Sequence, residues 1–282
     1  MKKALIFAAI LIFILSSAGA EETSAPVCRV LSCSITRYSD GRERVGGYNS
    51  AQGIYDAFAH AYGSEIRFEG KLLPDAQKSE LISEIGVLFA GADQNDISVI
   101  YISTHGYSVC GISMFEDSRG DVLSAYELER ALRSIPGRII VLLDFCASGG
   151  FIGNAGQGAE ALTNAFTHNT FASGKYLVLA SCAENERSFR VASEAADEKH
   201  TSTAFARALC EGMGWDLIND MAVPLKADAD KSRTVTFAEL AAYTRRRAMY
   251  YLSASSQAVQ NVCALPQADG FVIVSRAGSL GN

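Results

Sequence analysis

Basic runs are scarce in this chain. Its 282 residues hold 25 lysines and arginines against 31 aspartates and glutamates, a formal charge of −6. Only Arg245-Arg246-Arg247, within a predicted helix, breaks the pattern. With no basic stripe to follow a phosphate backbone, nucleic acid is not an expected partner. An acidic surface would instead attract basic substrates, by steering rather than by specific contact. Long apolar runs are lacking too, since Ala4–Leu15 is too short to cross a bilayer comfortably as a helix. That run follows Lys2 and Lys3 and precedes Ala18-Gly19-Ala20. A positive n-region, an h-region and a small-residue cleavage site in this order read as a secretory signal peptide. Residues 1–20 are therefore expected to be removed and residues 21–282 to be exported, with no membrane span after removal. No internal repeat or composition break marks a second domain, and the remaining length suits one large α/β domain with its own core.

Histidine is also rare. Of the four, His60, His168 and His200 end no apolar run and read as surface or loop residues. Cysteine is not rare: seven residues leave an odd thiol if the others pair. Cys28 and Cys33 are close enough in sequence to bridge, yet both fall in one strand-like run. Buried free cysteines are common, so the pairing stays open here.

What the chain does contain is an alternation of sheet and helix. Val27–Ile35 predicts a first strand, followed by a polar loop over Thr36–Tyr48 and a helix over Ser50–Tyr62. A short strand, Glu65–Leu72, and a helix, Pro74–Ala90, come next, with Pro74 suited to the first turn. The stretch from Tyr107 to Asp121 reads as one or two hairpins. Ser124 and Glu127 form a capping box for a helix through Arg133. A glycine-rich loop, Gly149–Ser173, precedes a strand at Tyr176–Ala180. Helices over Ser202–Gly212 and Phe237–Tyr251 and a last strand at Gly270–Ser275 complete the order. Alternation of this kind predicts a mainly parallel sheet with helices on both faces.

Two of the runs carry the chemistry. Ile97–Thr104 leads into His105-Gly106, and Arg138–Leu143 leads into Asp144-Phe145-Cys146-Ala147-Ser148-Gly149-Gly150. Short β-branched runs suit strands buried on both faces of a parallel sheet, whose sites lie beyond the carboxyl ends of the strands. If the two strands are parallel neighbours, His105 and Cys146 emerge on one rim. A thiol beside an imidazole is the minimal machinery of nucleophilic acyl transfer. Taken alone, Cys146 would read as an inert core cysteine. Asp144, two residues earlier, shares its facing by strand alternation.

The pair Ser103-Thr104-His105-Gly106 and Asp144–Gly150 resembles the caspase, metacaspase and legumain group of cysteine peptidases. Asp144, Cys146, Ser148 and Gly149 match the DxCxSG pattern of metacaspases, while the QACxG motif of true caspases is missing. The resemblance extends over the opening strand, Ala180–Ser188, Thr203–Gly212 and the final strand. It implies a single caspase-hemoglobinase-like domain built on a mainly parallel six-stranded sheet. It also implies Cys146 as nucleophile, His105 as acid/base, and the N–H groups of Gly106 and Cys146 as an oxyanion hole. No third member of the machinery is required. Asp144 would line the pocket for the residue before the cut and select Arg or Lys, with Cys182, Glu186 and Ser188 lining the cleft. The implied activity is an exported endopeptidase acting on proteins or peptides. A legumain-like peptidase or transpeptidase preferring Asn is the close alternative. A non-catalytic scaffold is the distant one, and the intact His105–Cys146 pair argues against it.

Asp228–Glu239 forms a second candidate site. Asp228, Asp230, Ser232, Thr234, Thr236 and Glu239 fall at the ligand positions of an EF-hand loop, with Arg233 where glycine is usual and no helix predicted ahead. Calcium held by Asp228, Asp230, Ser232 and Glu239 is the one cofactor suggested, and Cys–His chemistry requires none. The plainer reading is a solvated acidic loop capping the following helix.

Overall fold

Runs that are apolar at every position must be covered on both sides, and they form the centre of the sheet here. The computed structural model describes residues 25–63, 66–152, 171, 174–191, 200–253 and 258–276. The expected signal peptide and most of the Gly149–Ser173 loop lie outside them. In chain order the strands are β1 (Val27–Ser34), β2 (Arg67–Pro74), β3 (Ile97–Ser103), β4 (Gly106–Val109), β5 (Ile112–Glu116), β6 (Val122–Ser124), β7 (Ile139–Asp144) and β8 (Tyr176–Ala180). Shorter ones follow: β9 (Arg190–Val191), β10 (Ser202–Thr203), β11 (Trp215–Asp216), β12 (Met221–Ala222), β13 (Thr234–Thr236), β14 (Cys263–Leu265) and β15 (Val272–Ser275). The helices are α1 (Gly47–Ala59), α2 (Lys78–Leu88), α3 (Ala125–Leu132), α4 (Ala204–Gly212) and α5 (Phe237–Ser253).

The main sheet has six strands in the order β14-β8-β7-β3-β1-β2. All neighbours are parallel except β14, which runs antiparallel to β8. Alternation sends Val30, Tyr101, Leu142 and Leu179 to one face, where they pack with Ile54 and Phe58 of α1, Phe205 and Leu209 of α4, and Leu240 of α5. Leu31, Ile102, Leu143 and Val178 go to the other, against Leu81 and Ile85 of α2 and Leu128 and Leu132 of α3. Full burial of each such side chain contributes about 1.5–3 kcal/mol. The fold is thus a mixed, mostly parallel α/β sheet with a core on each face. The capping box of α3 forms as expected between Ser124 and Glu127, and the hairpin stretch is the three-stranded antiparallel sheet β4-β5-β6.

Two expectations need correction, and the open question of a Cys28–Cys33 bridge is answered. Pro74 does not open α2; it is the last residue of β2, paired with Ser34, and Asp75 turns the chain at φ 51° before the helix starts at Lys78. β2 is an edge strand, where a missing N–H costs no ladder bond. The last strand does not join the main sheet, because β15 pairs with β13 in a separate ribbon. The sixth strand is β14, three residues too short to show periodicity. Cys28 and Cys33 do not bridge: an odd spacing within β1 places them in opposite cores, and all seven cysteines are free. No helix among the described residues is long and apolar enough to cross a membrane.

Candidate active site

β3 and β7 are adjacent and parallel, and Ser103 is the register partner of Asp144. His105 and Cys146 therefore each lie two residues beyond the same rung, on one rim of the sheet. The Thr104 N–H reaches the Asp144 carbonyl at 3.4 Å, so the two chains stay together as they leave the sheet.

Phe145 turns the opposite way from Cys146. It is fully buried, with ring centroids 5.3 Å from Phe115 and 5.2 Å from Phe151. This anchor fixes the turn, and Ala147 follows in the left-handed region at φ 63° with its N–H bonded to the Glu186 carbonyl. Residues 148–151 then form one 3-10 turn, buried throughout. Gly150 passes so close to β5 that a Cβ there would lie 1.9 Å from Ser113 Oγ. Cys146 remains partly exposed and lines an open cleft of about 780 Å³. One wall is Gly106, Tyr107, Ser108 and Gly111; the other is the 183–187 loop, with Cys263 alongside. Ser108 Oγ and the Glu184 carboxylate meet across it at 3.4 Å.

His105 is held by a residue that the sequence did not mark. The Tyr38 hydroxyl accepts the His105 N–H at 2.9 Å and bonds Thr104 Oγ1 at 2.9 Å. The Tyr38 ring lies 4.9 Å from the imidazole at 30°. Tyr38 sits in a small hairpin closed by the Arg37–Glu43 bridge, within the segment expected to be a plain polar loop. Partial burial lowers the His105 pKa below 6.5, helped by the charges of Arg44 and then Arg42. The imidazole is thus neutral at neutral pH, the form that could accept a proton from a thiol. If that proton transfer limits kcat/KM, the acid limb of its pH profile should fall below pH 6.5. Arg42→Gln removes a cation and frees Glu116, which it holds at 2.8 Å. Both changes favour imidazolium, so the limb should move to higher pH; a limb that stays in place would remove His105 from that role.

Asp144 is completely buried, and its carboxylate accepts three hydroxyls: Tyr101 at 2.6 Å, Ser188 at 2.9 Å, and Thr203, the N-cap of α4. Ser188 is half-exposed, so its hydroxyl stands between the carboxylate and the surface. Arg44, also buried, donates to Ser103 Oγ at 2.6 Å and to the Asp144 carbonyl at 3.4 Å. Nothing in sequence marked Arg44 apart from the other arginines of its loop.

The remaining candidates divide. Cys182 does not open on the cleft: it is buried under the Cys146 turn, its thiol donates to the Phe145 carbonyl at 3.3 Å, and burial pushes its pKa up to about 11. Glu186 does line the cleft, but its carboxylate accepts the N–H groups of Ala183 at 3.0 Å and Asn261 at 2.7 Å, bracing the loop. Ser188 reaches Asp144 rather than the cleft wall.

Asp228, Asp230 and Glu239 each offer a carboxylate oxygen within 4.8 Å of the others, an arrangement that could hold a hard cation. Ser232 turns its hydroxyl to Thr234 at 2.8 Å instead. Arg233 takes φ 66°, the conformation a glycine would supply. Loop N–H groups of Ser232 and Arg233 already occupy Asp228, while Glu239 caps α5 through Thr236.

No family model and no curated protein matches the chain. Among solved structures, the crystal structure of protein GSU0716 from Geobacter sulfurreducens aligns at 16% identity with a TM-score of 0.49. The alignment covers 66% of this chain and 81% of that one.

Proposed function

We propose that this chain is an exported cysteine endopeptidase of the caspase-like group, with Cys146 as nucleophile and His105 as acid/base. The observation that carries the reading is the shared register of Ser103 and Asp144, which sends both residues to one rim, with Cys146 open to a cleft large enough for an extended peptide. The thiolate of Cys146 attacks the scissile carbonyl as the thiol proton passes to neutral His105. The imidazolium then gives that proton to the departing amine, and water resolves the acyl-enzyme. The N–H groups of Gly106 and Cys146 receive the oxyanion. Calcium takes no part in these steps.

The residue before the cut is proposed to be Arg or Lys. The three partners of the Asp144 carboxylate are neutral hydroxyls, so no cation pairs with it directly, and a guanidinium or ammonium would meet it by way of the half-exposed Ser188. Arg44 supports a second reading. A buried guanidinium bonded to the carbonyl of the same residue offsets part of that field, which suits a neutral amide such as Asn.

Fluorogenic peptides ending in Arg, Lys, Asn or Asp separate these readings, assayed with wild type and Asp144→Asn, with and without calcium. The expected result is cleavage after Arg and Lys, reduced about ten- to a hundredfold in Asp144→Asn by loss of one charge-assisted contact. Cleavage confined to Asn would keep the enzyme and transfer selection to Arg44. No cleavage of any peptide would leave a scaffold on this fold.

A further inference from the structure

A second cavity, of about 290 Å³, lies between α4, α5 and the β11 turn, and shares no residue with the Cys146 cleft. It is lined by Arg207 and Glu211 of α4, Trp215 and Asp216 of β11, Lys226, and Arg247 and Tyr251 of α5, among others. Its two acids are already occupied. Glu211 accepts two bonds from Arg247, at 2.7 and 3.0 Å, and the Tyr251 hydroxyl. Asp216 accepts the N–H groups of Ile218 and Asn219 and the Asn219 side-chain amide.

The donors are not. Neither Arg207 nor Lys226 has a hydrogen bond or close ion pair among the described residues, although the Arg207 charge is near enough to Asp216 to help lower its pKa. The Arg207 guanidinium rests 4.7 Å over the Tyr251 ring, which orients it and leaves its N–H edge available. Trp215 is 7% exposed, and its indole N–H is buried without an acceptor. Its ring stacks on His60 with centroids 4.4 Å apart. Unspent capacity at this place is thus all of one kind, cationic or N–H, beside aromatic and aliphatic walls.

We propose that this cavity binds a small organic anion, a carboxylate or phosphate on a compact apolar body, with Arg207 as the bidentate contact and Lys226 as the second. A guanidinium fork matches either oxyanion. The cavity is at the small end of the range for ligand pockets, so the body is about the size of one ring.

Trp215 is the single tryptophan of the chain, so its emission reports on this cavity alone. The full chain is titrated with phenyl phosphate, with benzoate, and with neutral benzyl alcohol at low salt, by tryptophan fluorescence and by calorimetry. A saturable response to either anion and none to the alcohol is expected. The dissociation constant should rise about ten- to a hundredfold in Arg207→Gln, as for loss of a charge-assisted contact. Arg207→Lys should fall between, keeping the charge without the fork. Far-UV circular dichroism of each variant checks that α4 persists. Equal affinity in a folded Arg207→Gln, an equal response to benzyl alcohol, or no saturable response to either anion by about 10 mM overturns the proposal.

Discussion

Replacing Cys146 with alanine is expected to leave a folded protein whose peptide turnover is at background. The side chain is partly exposed and its turn is held by other atoms: the buried Phe145 ring, the Ala147 N–H on the Glu186 carbonyl, and the Ser148–Phe151 turn. Removing one sulfur therefore removes the proposed nucleophile and little packing. The other thiols cannot replace it. Burial pushes Cys28 and Cys33 up to about 12 and Cys182 up to about 11, and raises Cys210 well above the usual thiol range. Cys263 lines the same cleft, but burial and then Glu186 raise its pKa as well.

Since the thiolate is the reactive form, the proposed proton transfer from Cys146 to His105, together with the burial of four other thiols, predicts an order of alkylation. Native protein treated with limiting iodoacetamide should carry label on Cys146 first. Exposed Cys110 should follow, and the buried four should stay unlabelled until unfolding. Peptide mapping reads this directly. Label on Cys146 no faster than on Cys110, together with undiminished turnover in Cys146→Ala, would falsify the nucleophile assignment.

Gly106→Ala should cost the second-largest loss, about a hundredfold or more in kcat. A Cβ at Gly106 would sit 2.5 Å from Phe145 Cδ2 and 2.6 Å from the Cys146 carbonyl oxygen, with the Met114 carbonyl at 3.1 Å. The neighbours are a ring locked in a three-phenylalanine cluster and two main-chain atoms, so none can yield by rotating a flexible end. The rim must open by several tenths of an ångström, moving apart the two N–H groups assigned to the oxyanion. Overpacking of this kind costs about 1–3 kcal/mol of stability. Thermal melting should therefore show a lower midpoint with the fold retained. Because the oxyanion exists only after attack, kcat should fall while KM changes little. A variant that loses stability as described yet keeps its kcat would show that Gly106 is needed for packing alone.

The sequence carried the strands because burial on both faces leaves a simple mark. Runs such as ISVIYIS and IIVLLD are apolar at nearly every position, and their ends are where chemistry-bearing residues begin. From these ends alone His105 and Cys146 could be placed near each other. The α3 cap was legible for a related reason: Ser124 and Glu127 bond within one turn. The bounds of α2 were not, because the pairing of β2 with β1, a contact between distant segments, claimed Pro74 for the strand.

What only the tertiary structure decided is everything set by such distant contacts. Tyr38 and Arg44 lie in a segment with no periodicity, and only the folding of that segment over the rim brings them to His105 and Ser103. Asp144 was visible as a carboxylate two residues before Cys146. That hydroxyls from β3, the 183–188 loop and the α4 N-cap would enclose it was not. The same holds for Cys182, which strand position suggested for the cleft and which packing put beneath it. Arg207, Trp215 and Lys226 form a cavity only because α4 and α5 pack together. A local pattern fixes which face of an element is apolar, because periodicity is a property of neighbouring residues. Which polar groups meet above that core depends on the packing of whole elements.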